Sequence, residues 1–184
     1  MLTLFHDFTS PASAVAVARV QRLADEGFPV EFVGFEAVGI DAVLPPTIDV
    51  LANVDRLAVE AGKDGVILRR PIAVPPTALA HVVGTVADTA GLGASWRWNC
   101  YTAFWRDASD IGNRDVLADL AGRAGLGSEE VATALHDRRL LADTRRRTAA
   151  HRHNGVGGVP TILCQRTLVP GLLPETDLRA LAIL

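Results

Sequence analysis

Cysteine is nearly missing: Cys100 and Cys164 are the only two in 184 residues, and no CxxC spacing occurs. The chain therefore has neither a disulfide framework nor a dithiol pair of its own, and so sparse a thiol content suits a reducing compartment. Long apolar runs are missing as well, because Arg, Asp, Glu or Pro interrupts each one before it could span a bilayer, and no basic segment leads into an apolar stretch at the N-terminus. These absences predict a cytoplasmic protein with no membrane partner. An excess of positive charge is also lacking, with 18 basic against 21 acidic residues and a net charge of −3, which removes the electrostatic footprint of a nucleic-acid binder. Lysine occurs once, at Lys63; the other basic residues are arginine, a skew that reads as GC-rich coding rather than as arginine chemistry. His151, His153 and Cys164 form no recognised ligand pattern, so no metal is expected.

What remains is strongly apolar, 49% of the chain against 21% charged, which places it among globular sequences. At this length roughly 70% of the unfolded surface can be buried, enough for one domain with room for an insertion and without a stabilising metal or disulfide.

The local patterns divide the chain into three parts. Leu2 to Phe5 reads as a short strand, followed by the turn-prone His6-Asp7-Phe8-Thr9 and by Ser10-Pro11, a helix-start signal in which the hydroxyl can accept from an orphan amide. The helix from Pro11 to about Ala24 carries Val17, Val20 and Leu23 at helical spacing and ends at Gly27. Phe28 to Phe35 is apolar on both faces, which predicts a buried parallel strand and completes a βαβ unit. From Thr47 to about His153 the periodicity is helical throughout. Helices are predicted at Asp49–Ala61, Thr77–Ala90, Ser95–Arg106, Arg114–Ala124 and Ser128–His151, the last with a break near Asp137. Extended structure returns in Val159 to Cys164 and Thr167 to Val169, a hairpin about Gln165-Arg166, and Pro174-Glu175 opens a last helix.

Two features frame the helical block: Ser10-Pro11-Ala12-Ser13 opening the first helix, and Gly158-Val159-Pro160-Thr161 entering the third strand. A strand running into x-Pro-x-x at a helix start, a long helical insertion and Val-Pro-Thr before a strand resemble the DsbA-like branch of the thioredoxin superfamily. Ser-Pro-x-Ser in place of a cysteine pair is similar to kappa-class glutathione transferases and 2-hydroxychromene-2-carboxylate isomerases. The segments Asn53 to Gly62, Pro71 to Pro75, Tyr101 to Trp105 and Gly125-Leu126 resemble further family segments in their order, so the likeness spans nearly the whole chain. It implies an α/β thioredoxin-like fold (βαβ … ββα) with a large all-helical insertion, the thioredoxin-like domain being 1–46 and 154–184 and the inserted helical domain 47–153.

The resemblance also implies site residues. Ser10 by itself is an N-cap, the common use of serine before proline. As a family member it would instead donate to the sulfur of a small thiol at the positive end of the helix, a catalytic role. Pro11, Ser13, Val159 and Pro160 would form the cofactor-binding surface, with Pro160 cis and the Val159 backbone free to pair with glutathione or another low-molecular-weight thiol. The implied activity is a thiol-dependent transferase or isomerase acting on a small hydrophobic or aromatic electrophile; the alternative is a redox-inactive DsbA-like module that binds a peptide or small molecule. A homodimer fits the apolar composition. Two departures bear on the thiol: Phe35 to Ala52 holds no Lys, Asn or Arg, and the last segment is Gly171-Leu-Leu-Pro174 where glutathione-binding members carry Gly-x-Asp-Arg.

Three other groups stand out. Arg138 to Arg152 is rich in arginine and reads as a solvated helix face more readily than as an anion site. Trp96, Trp98, Tyr101, Phe104 and Trp105 gather half of the chain's aromatics, as core, dimer contact or substrate wall. His6-Asp7 lies close to Ser10 but lacks the G-x-S-x-G context of a nucleophile elbow, which leaves His6 an orienting or acid–base role.

Overall fold

The computed structural model describes residues 1–184. Its centre is β1 (Leu2–His6), buried at every position, in a four-stranded sheet of order β2-β1-β3-β4. Strand β2 (Val30–Gly34) runs parallel to β1 with Leu2 opposite Val30 and His6 opposite Gly34. On the other side β3 (Thr161–Cys164) is antiparallel, with Phe5 opposite Thr161, and β4 (Thr167–Pro170) folds back on β3 through the two-residue turn. The parallel pairing agrees with the sequence pattern, but the expected burial of β2 does not hold. It is an edge strand: β1 spends its other side on β3, so Glu31 is exposed and the remaining four residues are half-buried.

Helix α1 (Pro11–Asp25) connects β1 to β2, and Gly27 at φ +93° makes the reversal that a side chain would hinder. Six helices then separate β2 from β3: α2 (Ile48–Lys63), α3 (Ala78–Thr89), α4 (Gly93–Trp105), α5 (Arg114–Ala124), α6 (Ser128–His136) and α7 (Arg138–His153). The break near Asp137 is real. That residue has extended ψ, ends α6, and caps α7 by accepting from the Arg139 N–H at 2.7 Å. Helix α8 (Glu175–Ala182) closes the chain.

The strand periodicity of two sorts β1 onto two cores. Leu2 and Leu4 join the main core with Val15, Val20 and Leu23 of α1 and with Trp96 and Trp105 of α4. Phe5 belongs to a smaller cluster with Phe35 and Val156, against which Val159 and Leu163 pack. The helical block is bound to the sheet by charge as well. Arg19, 7% exposed, pairs with Glu60 at 2.6 Å and Asp64 at 2.8 Å and donates to the Leu173 carbonyl, and Arg22 bridges Asp64 to Glu175. Guanidinium forks make such multiple contacts better than ammonium groups can.

The arginine-rich stretch has structural partners. Arg145 pairs with Glu36 and Asp41, and Arg152 donates to the carbonyls of Glu36 and Ala37, so α7 fastens the segment that follows β2.

Candidate active site

The last turn of β1 and the first of α1 meet the loop before β3. Ser10 has extended φ and ψ, and its Oγ accepts from the Ser13 N–H at 3.2 Å, the hydrogen bond of an N-cap. The same Oγ donates to the Val159 carbonyl at 3.5 Å, longer than the roughly 2.5–3.0 Å of a strong hydroxyl bond. The Val159–Pro160 peptide bond is cis. Two segments 149 residues apart thus converge on one hydroxyl, which is half-buried and loosely engaged on both sides.

The other singled-out residues divide. Val159 is half-buried beside Ser10, whereas Pro11 and Pro160 are buried. Ser13 does not face outward. It has no exposed surface, and its Oγ accepts from the Asp7 N–H at 3.4 Å, on the same side of α1 as Ser10 but one turn deeper. Its place is under the Ser10 turn rather than beside a ligand. None of the five principal cavities includes Ser10, Val159 or Pro160.

Beneath Ser10 lies a buried polar network that joins His6, Asp7 and Tyr101 to His81, a residue no sequence motif marks. Asp7, 1% exposed, links the turn through both its carbonyl and its carboxylate. Its carbonyl accepts from the Ser10 N–H at 3.1 Å and from Tyr101 Oη at 3.1 Å. Its carboxylate accepts from the Ala37 N–H at 2.8 Å and from His81 Nε2 at 3.2 Å, with Thr9 at 3.5 Å. Tyr101 Oη also lies 3.0 Å from His6 Nδ1. The phenol has one proton and gives it to the Asp7 carbonyl, so His6 must donate from Nδ1 and is left with an unprotonated Nε2. Trp105 Nε1 donates to the Phe8 carbonyl at 3.0 Å and holds the same turn from α4.

Tyr101 and Trp105 are thus supports of the turn, and with Trp96 and Phe104 they are core residues; Trp98 alone of the aromatic group is exposed. No pattern in the sequence links Asp7 to His81 or Tyr101. A signal for His81 did exist, a lone imidazole in the apolar stretch Ala78 to Val83, paired with Gly34, where a Cβ would come within 2.4 Å of His81 Nδ1.

Burial sets the ionisation of this layer. His6 is held well below the usual imidazole range, first by desolvation and then by the charges of His81 and Arg97. Desolvation and the nearby Asp7 carboxylate push the Tyr101 phenol and the Cys100 thiol well up, so Cys100 is an inert core thiol. Cys164 is also free and buried, its Sγ 3.4 Å from the Leu181 carbonyl. The His6 shift has a testable consequence. In the unfolded chain an imidazole titrates near 6.5, so below about pH 6.5 the unfolded state binds more protons and stability falls as pH drops. Denaturation midpoints measured from pH 7.5 to 5 should decline, by at most about 1.4 kcal/mol per pH unit for one group. His151, also lowered, adds to the decline, and His6→Phe should flatten the larger part of it. An unchanged slope in that variant would refute the assignment.

With this geometry in hand the comparisons are specific about the fold. A family model described as a DSBA-like thioredoxin domain matches residues 1–181. A search of the curated proteins finds no match. Among solved structures the chain is similar to a probable DsbA oxidoreductase from Streptomyces coelicolor, at 24% identity and TM-score 0.83, covering 99% of this chain and 88% of that one. It is similar to a 2-hydroxychromene-2-carboxylate isomerase, at 19% identity and TM-score 0.76, covering 98% and 91%. It is also similar to the cytosolic disulfide reductase DsbM from Pseudomonas aeruginosa with GSH, at 22% identity and TM-score 0.68, covering 97% and 95%.

Proposed function

The chain belongs to the family of DSBA-like thioredoxin domains, and on that premise we propose that it is a thiol-dependent transferase or isomerase acting on a hydrophobic or aromatic electrophile, without dithiol exchange of its own. The observation that carries the reading is the Ser10 hydroxyl, loosely held at a helix N-terminus beside the Val159 backbone, where a family oxidoreductase needs a reactive cysteine. The likeness to an isomerase and to a disulfide reductase solved with GSH supports a small thiol as the cofactor.

The residues fit such a group in part. Ser10 Oγ can leave its weak bond to Val159 and donate to a sulfur, and the amides of the first turn of α1 add partial positive charge that favours the anion. The Val159 carbonyl, released by Ser10, becomes available to an amide of the thiol compound. No cation follows β2 up to Ala52, and the arginines that reach this segment from α7, Arg145 and Arg152, are engaged with Glu36, Asp41 and the Ala37 carbonyl. A bound thiol would supply the sulfur nucleophile that the chain's own buried cysteines cannot. A cytoplasmic location and a homodimer belong to the same proposal; Ile48 and Ile72, 84% and 88% exposed, are surfaces a second copy could cover.

Calorimetric titration with glutathione should show saturable binding, while insulin reduction stays at background because Ser10 and Ser13 replace both redox positions. Failure of glutathione and of other low-molecular-weight thiols to bind would remove the enzyme reading. It would leave the redox-inactive binding module. Insulin turnover above background would refute both.

A further inference from the structure

A cleft of about 580 Å³ opens between the β2 edge and helices α3, α4 and α7, and it includes none of Ser10, Val159 and Pro160. Its walls come from both the sheet and the helical block, the kind of junction where small-molecule sites occur. Phe32 supplies aromatic surface, with the buried rings of Trp96, His6 and His81 behind it, and Arg97 lies among them, its guanidinium carbon 3.9 Å from the centre of the Phe32 ring.

Arg97 is the unexplained residue. It is 6% exposed, yet its only hydrogen bond in the chain runs from Nη1 to Asp88 at 2.6 Å. That contact leaves the Nε–Nη2 edge, which grips a carboxylate or phosphate with two parallel bonds, without a partner, and Nε is buried and unsatisfied. The indole N–H of Trp96, the neighbouring residue, is likewise buried and unsatisfied. Native structures satisfy nearly all such donors, so two together on one cavity wall mark a missing acceptor.

The surrounding charges allow an anion there. The cations of the lining are Arg97 and Arg147, the latter reaching in from α7 to Thr85 at 3.1 Å, and His6 is held neutral beside them. The two carboxylates of the lining, Glu31 and Asp88, are at the exposed mouth: Glu31 is exposed and the Asp88 side chain is 45% exposed. Asp7 lies behind His81 and accepts from its Nε2 at 3.2 Å, and His81 Nδ1 makes no hydrogen bond in the chain.

We propose that this cleft is a second binding site, for a small aromatic molecule bearing an oxyanion, whose carboxylate or phosphate pairs with the Nε–Nη2 edge of Arg97 while its ring lies beside Phe32, over the wall that His6 and His81 line. The site is independent of thiol binding at Ser10.

Benzoate and phenyl phosphate, with neutral benzamide as control, test it by calorimetry and by the ring resonances of the five histidines on the full chain. At least one of the two anions should bind saturably and at least tenfold more tightly than benzamide, moving His6 and His81 but not His136 or His153; which anion binds better identifies the oxyanion. Arg97→Met should weaken that binding at least tenfold, and Ser10→Ala should leave it unchanged. The comparison of anion with neutral control needs no variant, so it decides the matter even where Arg97→Met fails to fold. Absence of saturable binding by both anions, equal affinity for benzamide, or shifts confined to exposed histidines would overturn the proposal.

Discussion

Asp7→Ala should lower the unfolding free energy by about 3 kcal/mol, the range expected when one member of a buried, hydrogen-bonded charged network is removed. The size follows from what is stranded. His81, 4% exposed, loses its acceptor at 3.2 Å in a place water does not reach readily, and the Ala37 N–H, on an exposed residue, loses its acceptor at 2.8 Å. The two links through the Asp7 carbonyl survive, since alanine keeps the backbone that receives Ser10 N–H and Tyr101 Oη. Asp7→Asn tests the reasoning more finely. Its oxygen can still accept from Ala37, and its amide can donate to His81 Nε2 once the imidazole moves its proton to Nδ1, so the loss should be about 1 kcal/mol. Chemical denaturation of both variants measures this. Equal losses would mean that shape rather than hydrogen bonding matters at Asp7, and no loss in Asp7→Ala would refute the network.

How far the sequence shows this arrangement depends on the range over which each signal acts. Ser10-Pro11 followed by apolar residues at helical spacing, and Gly27 after them, are signals within a few residues, and α1 follows them closely. Asp137 between two helical patterns is a signal of the same kind, since one short carboxylate can both end α6 and cap α7. The edge position of β2 is different. Phe28 to Phe35 is apolar enough for a central strand, but its neighbours are decided by where β3 enters the sheet about 130 residues later, and local pattern carries no such information. The same holds for the polar layer: Asp7 meets His81 and Tyr101 across 74 and 94 residues. Ser10 and Val159 are farther apart still, and only the resemblance to a family pairs them. The burial of Ser13 is equally invisible in the motif, since it depends on Asp7 and the core closing over the first turn of α1.

At Ser10 two demands fall on one hydroxyl, and variants separate them. Ser10→Ala should cost about 1 kcal/mol of stability, since the cap to Ser13 N–H at 3.2 Å is lost. Ser10→Asp should recover most of that, because a carboxylate caps as well as a hydroxyl does. Recovery should be incomplete: aspartate can accept from Ser13 but cannot donate to the Val159 carbonyl, 3.5 Å away. Thiol binding should respond in the other direction. A sulfur held as an anion at the start of α1 would face the new carboxylate, and like charges a few ångströms apart disfavour one another strongly. Ser10→Ala removes one hydrogen bond to sulfur and should weaken glutathione binding by about tenfold, the effect of about 1.4 kcal/mol. Ser10→Asp should abolish it while the fold stays intact. Melting temperature and calorimetric glutathione affinity, measured on the same two variants, give the decision. A stable Ser10→Asp protein that binds glutathione as the unaltered chain does would make Ser10 a helix cap and nothing more.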